Sequence, residues 1–166
     1  FVAQTVWNSL FGKPLTYGMK DIDLVYFDDR NPDAASENLV CVRARELYAD
    51  LGLEIDVKNQ ARVHLWYENH FGYPISPYRS LESAIDHWPT TATSIGIRKT
   101  GDRELRVYAP FGLDDLFGRI VRPNKAQITR DIYERKVRSW LAKWPELVIV
   151  PWDEGTEVRI NSQKTD

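Results

Sequence analysis

Apolar positions recur along this chain with two different periods, and their alternation lays out a mixed α and β fold. The opening F-V-A-Q-T-V-W-N-S-L-F-G places Val2, Val6 and Leu10 four apart, with Trp7 and Phe11 widening the stripe. That spacing predicts a short helix, ended by Gly12 and Pro14. The run D-I-D-L-V-Y-F-D from Asp21 to Asp28 reads instead as a strand. Alternate side chains share a face, so Asp21 and Asp23 point one way with Val25 and Phe27, while Ile22, Leu24 and Tyr26 point the other. Apolar residues on both faces predict a strand covered on both sides, with only its acidic end near water.

The next helix starts at N-P-D-A-A-S-E-N, where Asp33 or Ser36 can cap it. Its expected buried stripe is Val40, Ala44, Leu47 and Leu51, with Asp50 and Gly52 as the stop. L-E-I-D-V-K-N alternates as a second strand, with Ile55 and Val57 on one face and Glu54, Asp56 and Lys58 on the other. Residues 60–71 suit either a helix ending at Gly72 or a longer strand; the helix fits Val63, Trp66, Tyr67 and His70 better. Ser80 caps a short helix running to about His87. T-A-T-S-I-G-I-R-K and R-E-L-R-V-Y-A-P flank T-G-D as a β-hairpin. A short helix follows Gly112 and closes before Pro123, with Asp114 and Asp115 in its first turn, where acids favour the helix dipole. Thr129 caps a last helix striped by Tyr133, Val137, Trp140, Leu141 and Trp144, and the strand L-V-I-V-P-W comes after it. Residues 1–152 are therefore expected to form one domain, with the helix at about 128–144 as an appendage and 153–166 as a polar tail, mobile from Gly155.

Composition narrows the function classes. With 166 residues, 43% of them hydrophobic, the chain can bury a core without staples, and six Trp, eight Tyr and six Phe make that core aromatic. A net charge of −2 gives no general pull toward nucleic acid or an anionic membrane, so a nucleic-acid partner is not indicated by total charge. The basic face of the last helix, Arg135, Lys136, Arg138 and Lys143, is the one feature a polyanion would use. The single Cys41 rules out an internal disulfide and fits a reducing, cytoplasmic setting; its place in L-V-C-V suits packing better than nucleophilic attack. No apolar run approaches the roughly 18–20 residues of a membrane span. The chain opens at Phe1, so its natural start is expected upstream, and no cleaved leader is expected.

Candidate chemistry centres on the acids. Two carboxylates held together on one strand face repel each other, and a hard divalent cation such as Mg²⁺ removes that cost. A lone D-x-D also arises by chance in a chain rich in acids, with Asp21 merely closing a loop. The second acid-bearing strand raises the functional reading, because sequential strands commonly pair. Such pairing brings Asp56 or Glu54 within reach as a third carboxylate. Arg62 and His64 are candidates for binding phosphate or a base edge, although such groups more often serve structure.

The order helix, loop, D-h-D strand (h apolar), helix, acid-bearing strand resembles the nucleotidyltransferase superfamily. Within it, the chain is most similar to a bacterial family of nucleotidyltransferase-like proteins akin to the head domain of CCA-adding enzymes. The residues carrying the likeness are T-V-W-N-S-L-F-G from Thr5, D-I-D-L-V-Y-F-D from Asp21, V-K-N-Q-A-R-V-H-L-W-Y from Val57, A-P-F-G-L-D-D-L-F from Ala109 and R-P-N from Arg122. The resemblance implies an α+β nucleotidyltransferase fold, a small mixed sheet with helices packed against it. It also implies two-metal phosphoryl transfer, with Asp21, Asp23 and Asp56 holding Mg²⁺ or Mn²⁺ and Asp56 assisting deprotonation. A nucleoside triphosphate is then the substrate, Lys58, Arg62 and His64 are candidates for holding it, and the acceptor is unspecified. Active members carry Gly-Gly or Gly-Ser at the start of the helix before the D-h-D strand, whereas the corresponding stretch here is Phe1-Val2-Ala3-Gln4. The alternative is accordingly a non-catalytic nucleotide-binding or protein-interaction module that keeps the fold.

Overall fold

In the computed structural model the described residues are 1–154, and the polar tail expected from Gly155 lies outside them. The elements in chain order are α1 (Val2–Leu10), β1 (Asp21–Tyr26), α2 (Ala34–Leu47), β2 (Glu54–Asn59), α3 (Val63–Phe71), α4 (Leu81–Ile85), β3 (Gly96–Lys99), β4 (Leu105–Tyr108), α5 (Asp114–Phe117), β5 (Ile120–Val121), α6 (Arg130–Leu141) and β6 (Val148–Ile149). The mixed α and β character stands, and the strands form three two-stranded sheets: β1–β2 and β5–β6 parallel, β3–β4 antiparallel. The chain divides into two compact units, one of Phe1 and Met19–Ala84, the other of Val2–Gly18 and the described residues from Ile85 onward. Among the described residues no helix is long and apolar enough to cross a membrane.

The first unit is built on β1, α2 and β2. Ile22, Ile55 and Val57 are its buried centre, and Leu24, Tyr26, Cys41, Ala44 and Leu53 pack against them. Asp33 caps α2 as expected, accepting from the Ser36 N–H at 2.8 Å. The stripe expected on this helix is not the buried one. Val40, Leu47 and Leu51 are 43%, 72% and 54% exposed, and only Ala44 of the expected set meets the core. Polar anchors on neighbouring positions set the helix rotation instead. A Glu37 carboxylate oxygen accepts the Asn59 N–H at 2.8 Å, and the Arg45 Nε–H donates to the Ile55 carbonyl at 3.1 Å. Cys41 and Ala44 lie between these two contacts on the same face. A single turn of 3-10 helix, Gln60–Arg62, leads into α3, which ends at Gly72 in the left-handed conformation, as the helical reading expected.

The second unit has an aromatic core. Trp7 of α1 meets Trp140 and Trp144 edge-on, at ring separations of 5.6 and 5.7 Å. The helix α1 buries Ala3, Trp7 and Asn8, while Leu10 of the expected stripe is 45% exposed. Asn8 decides that orientation. Its Nδ2 donates to the Leu15 and Tyr17 carbonyls, both at 2.9 Å, and its Oδ1 accepts from Trp144 Nε1 at 2.7 Å. The hairpin β3–β4 forms as expected, although its first strand is shorter because Thr91–Thr93 make a 3-10 turn. The short strand β5 escapes sequence reading altogether: two residues carry no period. Asp115 also does more than favour a dipole, accepting from the Thr91 hydroxyl at 2.6 Å and from Arg122 Nε at 3.0 Å.

Asn8→Ala strands the Trp144 indole N–H and two carbonyls inside the second unit. Urea denaturation should show a loss of about 2–4 kcal/mol, since each unpaired buried group costs about 1–3 kcal/mol. Leu10→Ala, on the exposed side of α1, should stay within about 0.5 kcal/mol of the parent.

Candidate active site

Register is what assembles the acids. In the parallel ladder Asp21 lies opposite Glu54, Asp23 opposite Asp56, and Val25 opposite Lys58. Residues opposite one another in a parallel pair share a face, and neighbouring strands lie about 4.8 Å apart. One face of β1–β2 therefore carries Asp21, Asp23, Glu54, Asp56 and Lys58, and the other carries Ile22, Leu24, Ile55 and Val57 into the core. The three acids singled out in the sequence are thus neighbours, and Glu54 joins them as a fourth.

The acidic end of β1 lies near water as expected, with Asp23 exposed, while the rest of the strand is less deeply covered than expected: Ile22 is its one buried residue, and Leu24, Val25 and Tyr26 are half-buried. The unit packs α2 on the apolar face of the two strands, and the acid face keeps access to solvent, with Asp23 and Glu54 exposed and Asp21, Asp56 and Lys58 half-buried. That is the better arrangement for charge, because carboxylates keep their hydration there.

Glu54 and Asp56 each meet a cation among the described residues. Lys58 Nζ lies 2.9 Å from Asp56 Oδ1, and an Arg45 guanidinium nitrogen lies 4.0 Å from Glu54 Oε1. Arg62 faces elsewhere. It pairs with Glu37 Oε1, donates from Nε to the Pro32 carbonyl at 3.0 Å, and its side chain is only 12% exposed. His64 stands in the first turn of α3 with Nδ1 buried and no hydrogen-bond partner among the described residues. Of the three phosphate candidates, Lys58 alone shares the face of the acids.

Two residues that sequence reading passed over hold this geometry. Asn59, 1% exposed, accepts the Asp28 N–H on Oδ1 at 3.0 Å and donates from Nδ2 to the Asp28 carbonyl at 2.8 Å, extending the ladder past the end of β1 with a side chain. Glu37 joins Asn59 to Arg62. The available signal was an acid four residues after a capping Asp. Burial first, and the Glu37 charge second, raise the phenol of Tyr26 above its ordinary value. Hydrogen bonding from the Arg30 side chain and backbone holds the Asp28 carboxyl below its own.

Among the described residues no three His, Cys, Asp or Glu side chains converge as a set of metal ligands. The donor chemistry nevertheless suits a hard cation: carboxylate oxygens on adjacent strands of one open face. One of these carboxylates already holds a stand-in cation, the Lys58 ammonium.

A parallel strand pair with acids on one face and a helix on the other defines a mixed α/β protein with its carboxylates gathered on one strand face. The chain belongs to the nucleotidyltransferase family, whose model matches residues 1–149. It is also similar in fold to a solved NMR structure described as revealing a CCA-adding enzyme head domain. That likeness has a TM-score of 0.72 at 24% identity, over 90% of this chain and 78% of the other. Among curated proteins none matches this chain.

If Arg62 serves structure, Arg62→Met should destabilise the protein by roughly 2–4 kcal/mol in chemical denaturation, because it leaves the Glu37 carboxylate half-buried and unpaired. A double-mutant cycle with Glu37→Gln should return a coupling of about 1 kcal/mol or more.

Proposed function

We propose that this protein transfers a nucleotidyl group from a nucleoside triphosphate to an acceptor hydroxyl, with Mg²⁺ or Mn²⁺ held by Asp21, Asp23 and Asp56. The observation that carries this reading is the register of β1 on β2, which sets those three carboxylates on one open strand face. Family membership supports nucleotidyl transfer as the chemistry. When bound, the divalent cation supplies charge neutralisation at the phosphate oxygens and at the forming alkoxide.

The chain's own residues then have distinct tasks. Asp21 and Asp23, two apart on one strand, hold cation and triphosphate against a rigid ladder. Asp56 lies across from Asp23, where its carboxylate can take the proton of the acceptor hydroxyl. The hydroxyl oxygen bonds to the α-phosphorus, the bond from that phosphorus to the bridging oxygen breaks, and pyrophosphate leaves with the electron pair. Lys58 is the phosphate-binding side chain that this face offers, whereas Arg62 is committed to Glu37 and the Pro32 carbonyl and His64 belongs to α3. The lone thiol of Cys41 suits a cytoplasmic setting.

Calorimetric titration of the four nucleoside triphosphates with and without Mg²⁺ tests this reading. Binding should require Mg²⁺ and weaken at least about a hundredfold in Asp21→Asn/Asp23→Asn, the loss expected when two charged ligands go, each worth about 1.5–3 kcal/mol. Equal binding by the double variant, or no binding of any triphosphate by the parent, would leave a non-catalytic module of the same fold.

A further inference from the structure

Lys58 is paired with Asp56, one of the proposed metal-binding acids, and its place on the face is fixed by the strand. It lies two residues beyond Asp56 on the same face of β2, opposite the apolar Val25, and its ammonium meets Asp56 at 2.9 Å. Four carboxylates share this face, and Arg45 stands 4.0 Å from the outermost, Glu54. The ammonium on Asp56 offsets part of the repulsion among these carboxylates. A divalent cation brings twice the charge, and on Asp56 Oδ1 it would take the place of the ammonium.

The side chains of Lys58 and Asp56 are 44% and 33% exposed, so the ion pair is a weak one that a stronger cation can displace. The lysine stem has four rotatable carbons, and its head can swing without moving the strand. Lys58 is also the member of the set closest to the carboxyl end of β2, the side on which parallel strands receive ligands.

We infer that Lys58 is an internal counterion that holds the place of a divalent cation on Asp56 and passes to the triphosphate when the cation binds. This rests on the metal-binding reading above and adds a role that the acids alone do not have. The exchange makes the same side chain oppose metal binding in the free protein and favour nucleotide binding in the metal-loaded one. An ordinary surface ion pair has the first effect without the second, and a simple phosphate ligand has the second without the first.

The opposed signs are the test. Mn²⁺ titrated into the nucleotide-free protein, followed by electron paramagnetic resonance, should bind about two- to fivefold more tightly in Lys58→Met than in the parent, the span of a weak exposed ion pair. In saturating Mn²⁺ the same variant should bind nucleoside triphosphate about tenfold more weakly, as for loss of one charge-assisted contact. Lys58→Arg keeps the charge and should restore both affinities to near the parent values. Unchanged Mn²⁺ affinity in Lys58→Met, or an unchanged triphosphate affinity, overturns the exchange while leaving the metal site standing. Absence of Mn²⁺ binding in the parent and in both variants overturns the metal-binding reading itself, and the exchange with it.

Discussion

The parallel register between β1 and β2 is the constraint on which the first unit and its candidate site both depend. Side chains alternate along a strand, so a slip of one residue would turn Asp21 and Asp23 into the core and expose Ile22 and Leu24. Two strands supply few ladder hydrogen bonds to resist that slip. Asn59, the last residue of the ladder, provides the lock with its side chain, bonding both the N–H and the carbonyl of Asp28 just past the end of β1. Its own N–H is held by Glu37, which also receives Arg62. One buried amide therefore fixes the strand register, the first turn of α2 and the entry to α3 together. Buried polar groups are costly unless every partner is present, and here the partners come from three separate elements. Register errors are thereby penalised several times over.

That lock also explains where the sequence could be read and where it could not. The alternation of Ile55 and Val57 against Glu54, Asp56 and Lys58 is a local property of one strand, and it survives in the structure unchanged. The left-handed Gly72 at the end of α3 and the Asp33 cap of α2 are likewise set within a few residues. The rotation of α2 is not local. Its most apolar stripe would have put Val40 and Leu47 inward, but Glu37 and Arg45 bond to β2 and turn Cys41 and Ala44 to the core. A sheet two strands wide needs only a narrow, small-residue contact, so the larger apolar side chains are left outside.

The same limit applies to α1, where a polar residue, Asn8, occupies a fully buried position because its three partners lie on the 15–17 loop and at Trp144. No periodicity rule marks an asparagine as core. Likewise β5 exists because Ile120 and Val121 find Val148 and Ile149, a pairing with no trace in two residues of sequence. The acids, by contrast, were legible because strand alternation and strand order are enough to put them together. Their motif order was legible for the same reason.

Which acids matter follows from position and not from number. Glu54 and Asp56 lie on the same strand face, and alternation alone gives no choice between them. Opposite Glu54 is Asp21, at the start of the strand, and beside it is Arg45, which bonds the adjacent Ile55 carbonyl and is thereby held near the Glu54 carboxylate. The Glu54 side chain is 71% exposed, so its charge is both screened by water and partly offset. Asp56 is 33% exposed, lies across from Asp23, and sits one step nearer the carboxyl end of the strands. A carboxylate with less water around it gains more from a cation, and a shorter side chain on a fixed backbone wanders less. Both differences favour Asp56 over Glu54 as the third carboxylate of the proposed site. They also fit the pairing of the lysine of this face with Asp56, which is less exposed than Glu54.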